Sequence, residues 1–202
     1  MTVTVRPDPF ILVLYDNATV RGIVDDVAAQ VQFPAAVDID LTVDEGLPHP
    51  ILGTNADIVD GVATLWVSGG NFESRDSPRA FSERHARADI THMLLRAKDR
   101  VGGGFEAAPP DSELTLGERQ AWDTYTWGRV ARLGHNVHRQ KRLYDFRMQH
   151  GFSDASDAAF ERLWSAESMT WDGVREICAE TGAVNRPKPK TAIDLLRQGS
   201  PA

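Results

Sequence analysis

His85, Asp89 and His92 fall at i, i+4 and i+7 within Ser82-Glu83-Arg84-His85-Ala86-Arg87-Ala88-Asp89-Ile90-Thr91-His92-Met93-Leu94-Leu95-Arg96. On a helix that spacing stacks the three side chains along one face, within reach of a shared ion or water. Imidazole and carboxylate both ligate zinc, iron or manganese, and a carboxylate beside a metal-bound water can act as its base. The residue types therefore admit a metal-dependent hydrolase, with His85 and His92 as ligands and Asp89 as the catalytic group. The same stripe also carries Phe81, Ala88 and Leu95. That composition admits a second reading, in which the histidines are hydrogen-bonded in a partly core-facing helix and Asp89 pairs with Arg84 or Arg96.

A second constellation lies between positions 129 and 147. Arg129, Arg132, Arg139, Lys141, Arg142 and Arg147 are interleaved with Trp127, Tyr144 and Phe146, and the stretch has a single acidic residue, Asp145. Basic residues among aromatics can bind nucleic acid by phosphate contact and base stacking. They equally describe a solvated helix face neutralised by Asp154, Asp157, Glu161 and Glu167. The net charge of −7 opposes a whole-protein nucleic-acid surface. Trp122, Trp127, Trp164 and Trp171 read as core anchors, and any that is exposed would mark a protein partner or self-association.

Other chemistries find little support. Cys178 is the single cysteine, so no internal disulfide forms, and its helical setting beside Ile177 and Ala179 predicts an inert thiol. There is no Gly-x-Ser-x-Gly elbow. Gly102-Gly103-Gly104 follows a helix and lacks the lysine and hydroxyl of a phosphate loop. No apolar run nears the roughly 20 residues of a membrane span, and no secretory leader is evident, which predicts a cytoplasmic protein.

The elements that must position these residues read in two blocks. The apolar run Phe10 to Tyr15 predicts a strand. Val20, Ile23, Val24, Val27 and Val31 predict a helix over 19–32, and strict alternation over 37–43 predicts a half-buried strand. Residues 56–60 and 62–67 predict a hairpin through Asp60-Gly61. A long helix then starts at a Ser77-Pro78 cap and runs to Arg100. Helices follow over 114–134, 136–150, 154–166 and 170–181, the last closed by Gly182. Strands before helices mean α+β: a small mixed sheet, then a helical C-terminal half. One domain is expected over 1–185, its sheet-containing part within 1–100 and its helical part within 114–182. Residues 186–202 read as a linker and a short terminal helix.

This order of strand, helix, alternating strand, hairpin and long central helix resembles a minimal zincin, the zinc metallopeptidase fold, over positions 10–100. The family's central helix carries His-Glu-x-x-His, two zinc ligands with the general base between them. The motif falls on Ala88-Asp89-Ile90-Thr91-His92, and Met93 to Ala97 is similar to the apolar continuation of such helices. Only His92 matches. Ala88 cannot ligate, and Asp89 is one methylene shorter than glutamate. The resemblance thus implies a zincin-like scaffold that has lost peptidase activity, a binding or scaffolding protein without a cofactor. The alternative it leaves is a zinc hydrolase in which His85 substitutes for the lost ligand and Glu118 or Asp123 completes the site.

Overall fold

Alternation in Asp38-Ile39-Asp40-Leu41-Thr42-Val43-Asp44 forms a strand because every second side chain is apolar and reaches one face. In a computed structural model of the chain, which describes residues 1–183, this strand is β2 (Asp38–Asp44), and Ile39, Leu41 and Val43 are buried. It is flanked in parallel by β1 (Val3–Arg6) and β4 (Val62–Ser68). Antiparallel β3 (Thr54–Val59) is joined to β4 through Asp60-Gly61 and gives the order β1-β2-β4-β3. Asp60 and Gly61 both have positive φ, as the predicted two-residue turn requires.

Six helices complete the described chain: α1 (Asn17–Gln30), α2 (Glu83–Gly102), α3 (Leu116–Arg132), α4 (Arg139–His150), α5 (Asp154–Ser165) and α6 (Trp171–Thr181). The fold is α+β, a mixed four-stranded sheet followed by helices. No helix among the described residues is long and apolar enough to cross a membrane. The terminal linker and helix expected over 186–202 lie outside the described residues.

Two expectations are corrected. Phe10 to Tyr15 is not a strand of the sheet. The position beside β2 is taken by the shorter Val3–Arg6, and Pro7 and Pro9, which have no amide to donate, separate the two stretches. Glu45 Oε2 instead accepts from the Ile11 and Leu12 amides, and Leu14 makes a lone bridge to Ala80. Val13 and Tyr15 turn inward, while Ile11 is 78% exposed. Nor does α2 start at Ser77. Ser82 is its cap, accepting from the His85 amide, and the chain before it returns through Arg79 at positive φ.

Two apolar regions result. One lies between the sheet, α1 and α2, and takes in Trp127 and Val130 from α3. The other joins α3, α5 and α6 around Trp122, Phe160 and Trp171, with Phe105 from the preceding loop. Trp164 packs against both. Trp122, Trp127 and Trp171 are buried, so the helical half uses these tryptophans as core. Gly128 lets α3 approach α5, since a Cβ there would meet the Trp164 carbonyl oxygen at 2.1 Å. Gly128→Ala should therefore separate the helices and cost about 1–3 kcal/mol, as overpacking does, measured as a lowered urea midpoint.

His150 supplies a second test. Its ring stacks on Phe146, its Nε2 donates to the Gly117 carbonyl at 3.0 Å, and its Nδ1 faces the Thr181 hydroxyl. Burial outweighs the Gly117 bond and lowers its pKa from 6.5 to about 4. Between pH 6.5 and 4 the unfolded chain binds a proton there and the fold does not, so stability falls as pH falls through that window. The contribution is about 3 kcal/mol. Unfolding free energies measured across the window should show a shallower acid slope for His150→Gln.

Candidate functional site

The face of α2 that carries His85, Asp89 and His92 continues one turn further to Arg96, which is 1% exposed. Its guanidinium reaches Asp111 Oδ1 at 2.5 Å and Asp123 Oδ1 at 2.6 Å. Arg100, one turn on, joins Asp111 at 2.9 Å and Asp57 at 3.2 Å. Arg96 and Arg100 both stack on the Trp122 ring. Burial raises the pKa of Asp111 and Asp123, but the arginine charges outweigh it and hold both carboxyls below the ordinary range.

The cluster also covers the outer edge of β3 at Thr54 and Ala56. The Ala56 amide donates to Asp111 Oδ2, Arg100 Nε donates to the Ala56 carbonyl, and Arg119 donates to the Thr54 carbonyl. Sheet edge, α2, α3 and the loop through Asp111 are thus tied by one set of ion pairs.

The predicted site residues divide around this cluster. His92, 2% exposed, stacks on Trp127 with ring centroids 4.4 Å apart. Its Nε2 lies 3.2 Å from Asp123 Oδ1 but outside hydrogen-bond geometry, and its Nδ1 has no partner. Burial lowers its pKa against the opposing pull of Asp123. Asp89 pairs with neither Arg84 nor Arg96: its Oδ2 accepts from Asn71 Nδ2 at 3.1 Å. Burial raises its pKa to about 6, while Asn71, Arg142 and His85 pull it down.

His85 turns toward the Glu73 carbonyl, Nδ1 to oxygen 2.8 Å. Glu118 closes the capping box of α3, accepting from the Thr115 amide and hydroxyl. So His92 and Asp123 are brought together, whereas His85 and Glu118 are each engaged elsewhere. Among the described residues no three His, Cys, Asp or Glu side chains are grouped to hold a metal ion. Cys178 is half-buried, and burial pushes its thiol up to about 12.

The basic stretch is dispersed. Arg129 makes two bonds to Asp99, and Arg132 donates to the Trp164 and Ala166 carbonyls. Arg139 pairs with Glu161, Lys141 with Asp145, and Arg147 with Asp157. His138 caps α4 after the turn at Gly134, which has φ 90°, and His135 bonds to Thr91. Arg142 stands apart, half-buried over the Trp127 ring at 3.9 Å.

Reasoning from sequence missed Asp111, Asn71 and the joint role of Arg96, Arg100 and Arg119. Arg96, directly after the apolar stretch Met93-Leu94-Leu95 and four residues before Arg100, was the available signal, since buried arginines demand carboxylates. A scan against protein-family models finds no match to this chain, and neither do searches of curated proteins and of solved structures.

Removing Arg96 leaves the partly buried Asp123 with no arginine nearer than Arg119 at 3.9 Å and the buried Asp111 with Arg100 as its close partner. Arg96→Ala should cost about 3–5 kcal/mol in urea unfolding, whereas Arg139→Ala, which breaks an exposed pair, should cost less than about 1 kcal/mol.

Proposed function

We propose that this chain is a non-peptidase binding or scaffolding protein built on a frame that resembles a zincin whose catalytic motif has degenerated. The observation that carries this reading is the engagement of the motif face in internal bonds. His92 lies against Asp123 and Trp127, and Asp123 is held by Arg96. His85 is bonded to Glu73, and Glu118 caps a helix. Position 88, where the family carries its first zinc ligand, is alanine.

The state of β3 supports the same reading. An open edge strand binds an extended peptide through its main-chain groups. On β3 the Thr54 carbonyl and both polar groups of Ala56 already have partners from Arg119, Arg100 and Asp111.

One observation favours a metal-dependent hydrolase instead. Asp89, at about 6, titrates near neutral pH as a general base does, and it sits on the same helix face as His92. In that reading His92 and Asp123 would hold the ion, which would require Asp123 to part from Arg96. Elemental mass spectrometry on untagged protein purified without chelator separates the two. The binding reading expects the wild type to carry no more zinc, iron or manganese than His92→Ala. Near-stoichiometric metal that disappears in the variant overturns it and installs the hydrolase.

A further inference from the structure

Tyr144, Met148 and Phe152 fall at i, i+4 and i+8 along the outer side of α4 and just past its end, and they are 56%, 52% and 64% exposed. The helix turns Phe146 and His150 inward, so its apolar residues are divided between a core face and a solvent face. Gly151, at φ 89°, bends the chain after α4. Phe152 thereby meets Tyr144 edge to face, with ring centroids 6.0 Å apart. Tyr144 and Met148, four residues apart, are neighbours on the helix surface. The three side chains therefore make one ridge.

Exposed apolar patches rimmed by polar residues mark interaction surfaces, and aromatic residues and methionine are enriched at the centre of protein interfaces. A helix ridge has no concavity for a small ligand, but it packs into the groove of another helix, two such i, i+4 ridges crossing at about 50°.

The ridge ends in opposite charges. Lys141, three residues before Tyr144, has a side chain 59% exposed, and its ammonium reaches Asp145 at 2.6 Å with donors to spare. Asp154, two residues after Phe152, is exposed, and among the described residues its carboxylate has no hydrogen bond or ion pair. The other exposed positions between 140 and 155 carry no charge. Lys141 lies seven residues before Met148 and Asp154 six after it. Two copies of α4 crossing antiparallel at Met148 would bring Lys141 of each copy to Asp154 of the other. They would also set Tyr144 of each against Phe152 of the other, and Met148 against itself. We propose that this ridge is the interface of a two-fold dimer of the chain, with α4 packed antiparallel on its copy. The pairing goes beyond the binding reading and does not rest on it, since the ridge shares no residue with the motif face of α2.

The test is sedimentation equilibrium of the full chain from micromolar to sub-millimolar concentration. Wild type should show a monomer–dimer equilibrium with a Kd below about 200 µM. Met148→Glu sets two carboxylates against one another at the two-fold axis and should weaken the dimer at least about tenfold. Lys141→Glu and Asp154→Lys should each weaken it at least about threefold. An equimolar mixture of those two variants should recover the wild-type Kd, because in the heterodimer each altered end meets an opposite charge. All three positions are exposed, so each variant should unfold at the wild-type temperature. If Met148→Glu fails to fold, the charge mixture decides alone. A chain that stays monomeric throughout, whether its ridge then takes another protein or none, overturns the proposal. So does a dimer unmoved by Met148→Glu, or a mixture that associates no more tightly than the separate variants.

Discussion

Arg96 sits between Asp111 and Asp123 with almost no access to water, and the rest of the structure is arranged to make that possible. A guanidinium in an apolar interior is tolerable only when charge and hydrogen bonds are both met. Meeting them requires a carboxylate from the loop after Pro110, another from α3, and the Trp122 ring beneath. Each of those groups then acts on something else: Asp111 on the Ala56 amide, Asp123 on His92, Trp122 on Asp99. The sheet and the helical half are joined by this polar seam as well as by apolar contact.

The seam also divides α2 by function. From Met93 onward the helix is buried and structural. Before that, at Asp89 and His85, the same face approaches solvent, with carboxyl and imidazole groups only partly engaged. The basic stretch behaves similarly. Most of its arginines act as clamps on α5, on the 164–166 turn or on Asp99, whereas Arg142 lies over the Trp127 ring. A run that looks uniformly cationic in one dimension becomes a set of separate fastenings in three.

Much of this architecture was legible because the signals were periodic. Alternation in β2, the Asp60-Gly61 turn and the 3.6-residue stripes of the helices each act locally, and Gly182 adopts the left-handed conformation expected at a helix end. What escaped depended on competition between distant segments. Phe10 to Tyr15 is the more apolar run, yet Val3–Arg6 pairs with β2, and no local pattern ranks one against the other. Ser77-Pro78 is a sound cap signal, overridden by Ser82 once the preceding chain turns back. The candidate site was legible as a helix face but not in its partners. Asn71 and Asp111 sit in loops, where position in space has no sequence period.

The covering of β3 has a bearing on how the protein behaves in company with itself. A sheet with a bare outer strand offers a row of amides and carbonyls on which a neighbour can build, and polymers of stacked sheets begin there. Here that row is occupied at Thr54 and Ala56 by guanidinium and carboxylate groups anchored in the interior. A second molecule would have to strip buried charges from one another before it could dock strand to strand. The same ions that hold the fold together therefore occupy the sheet's outer edge at Thr54 and Ala56.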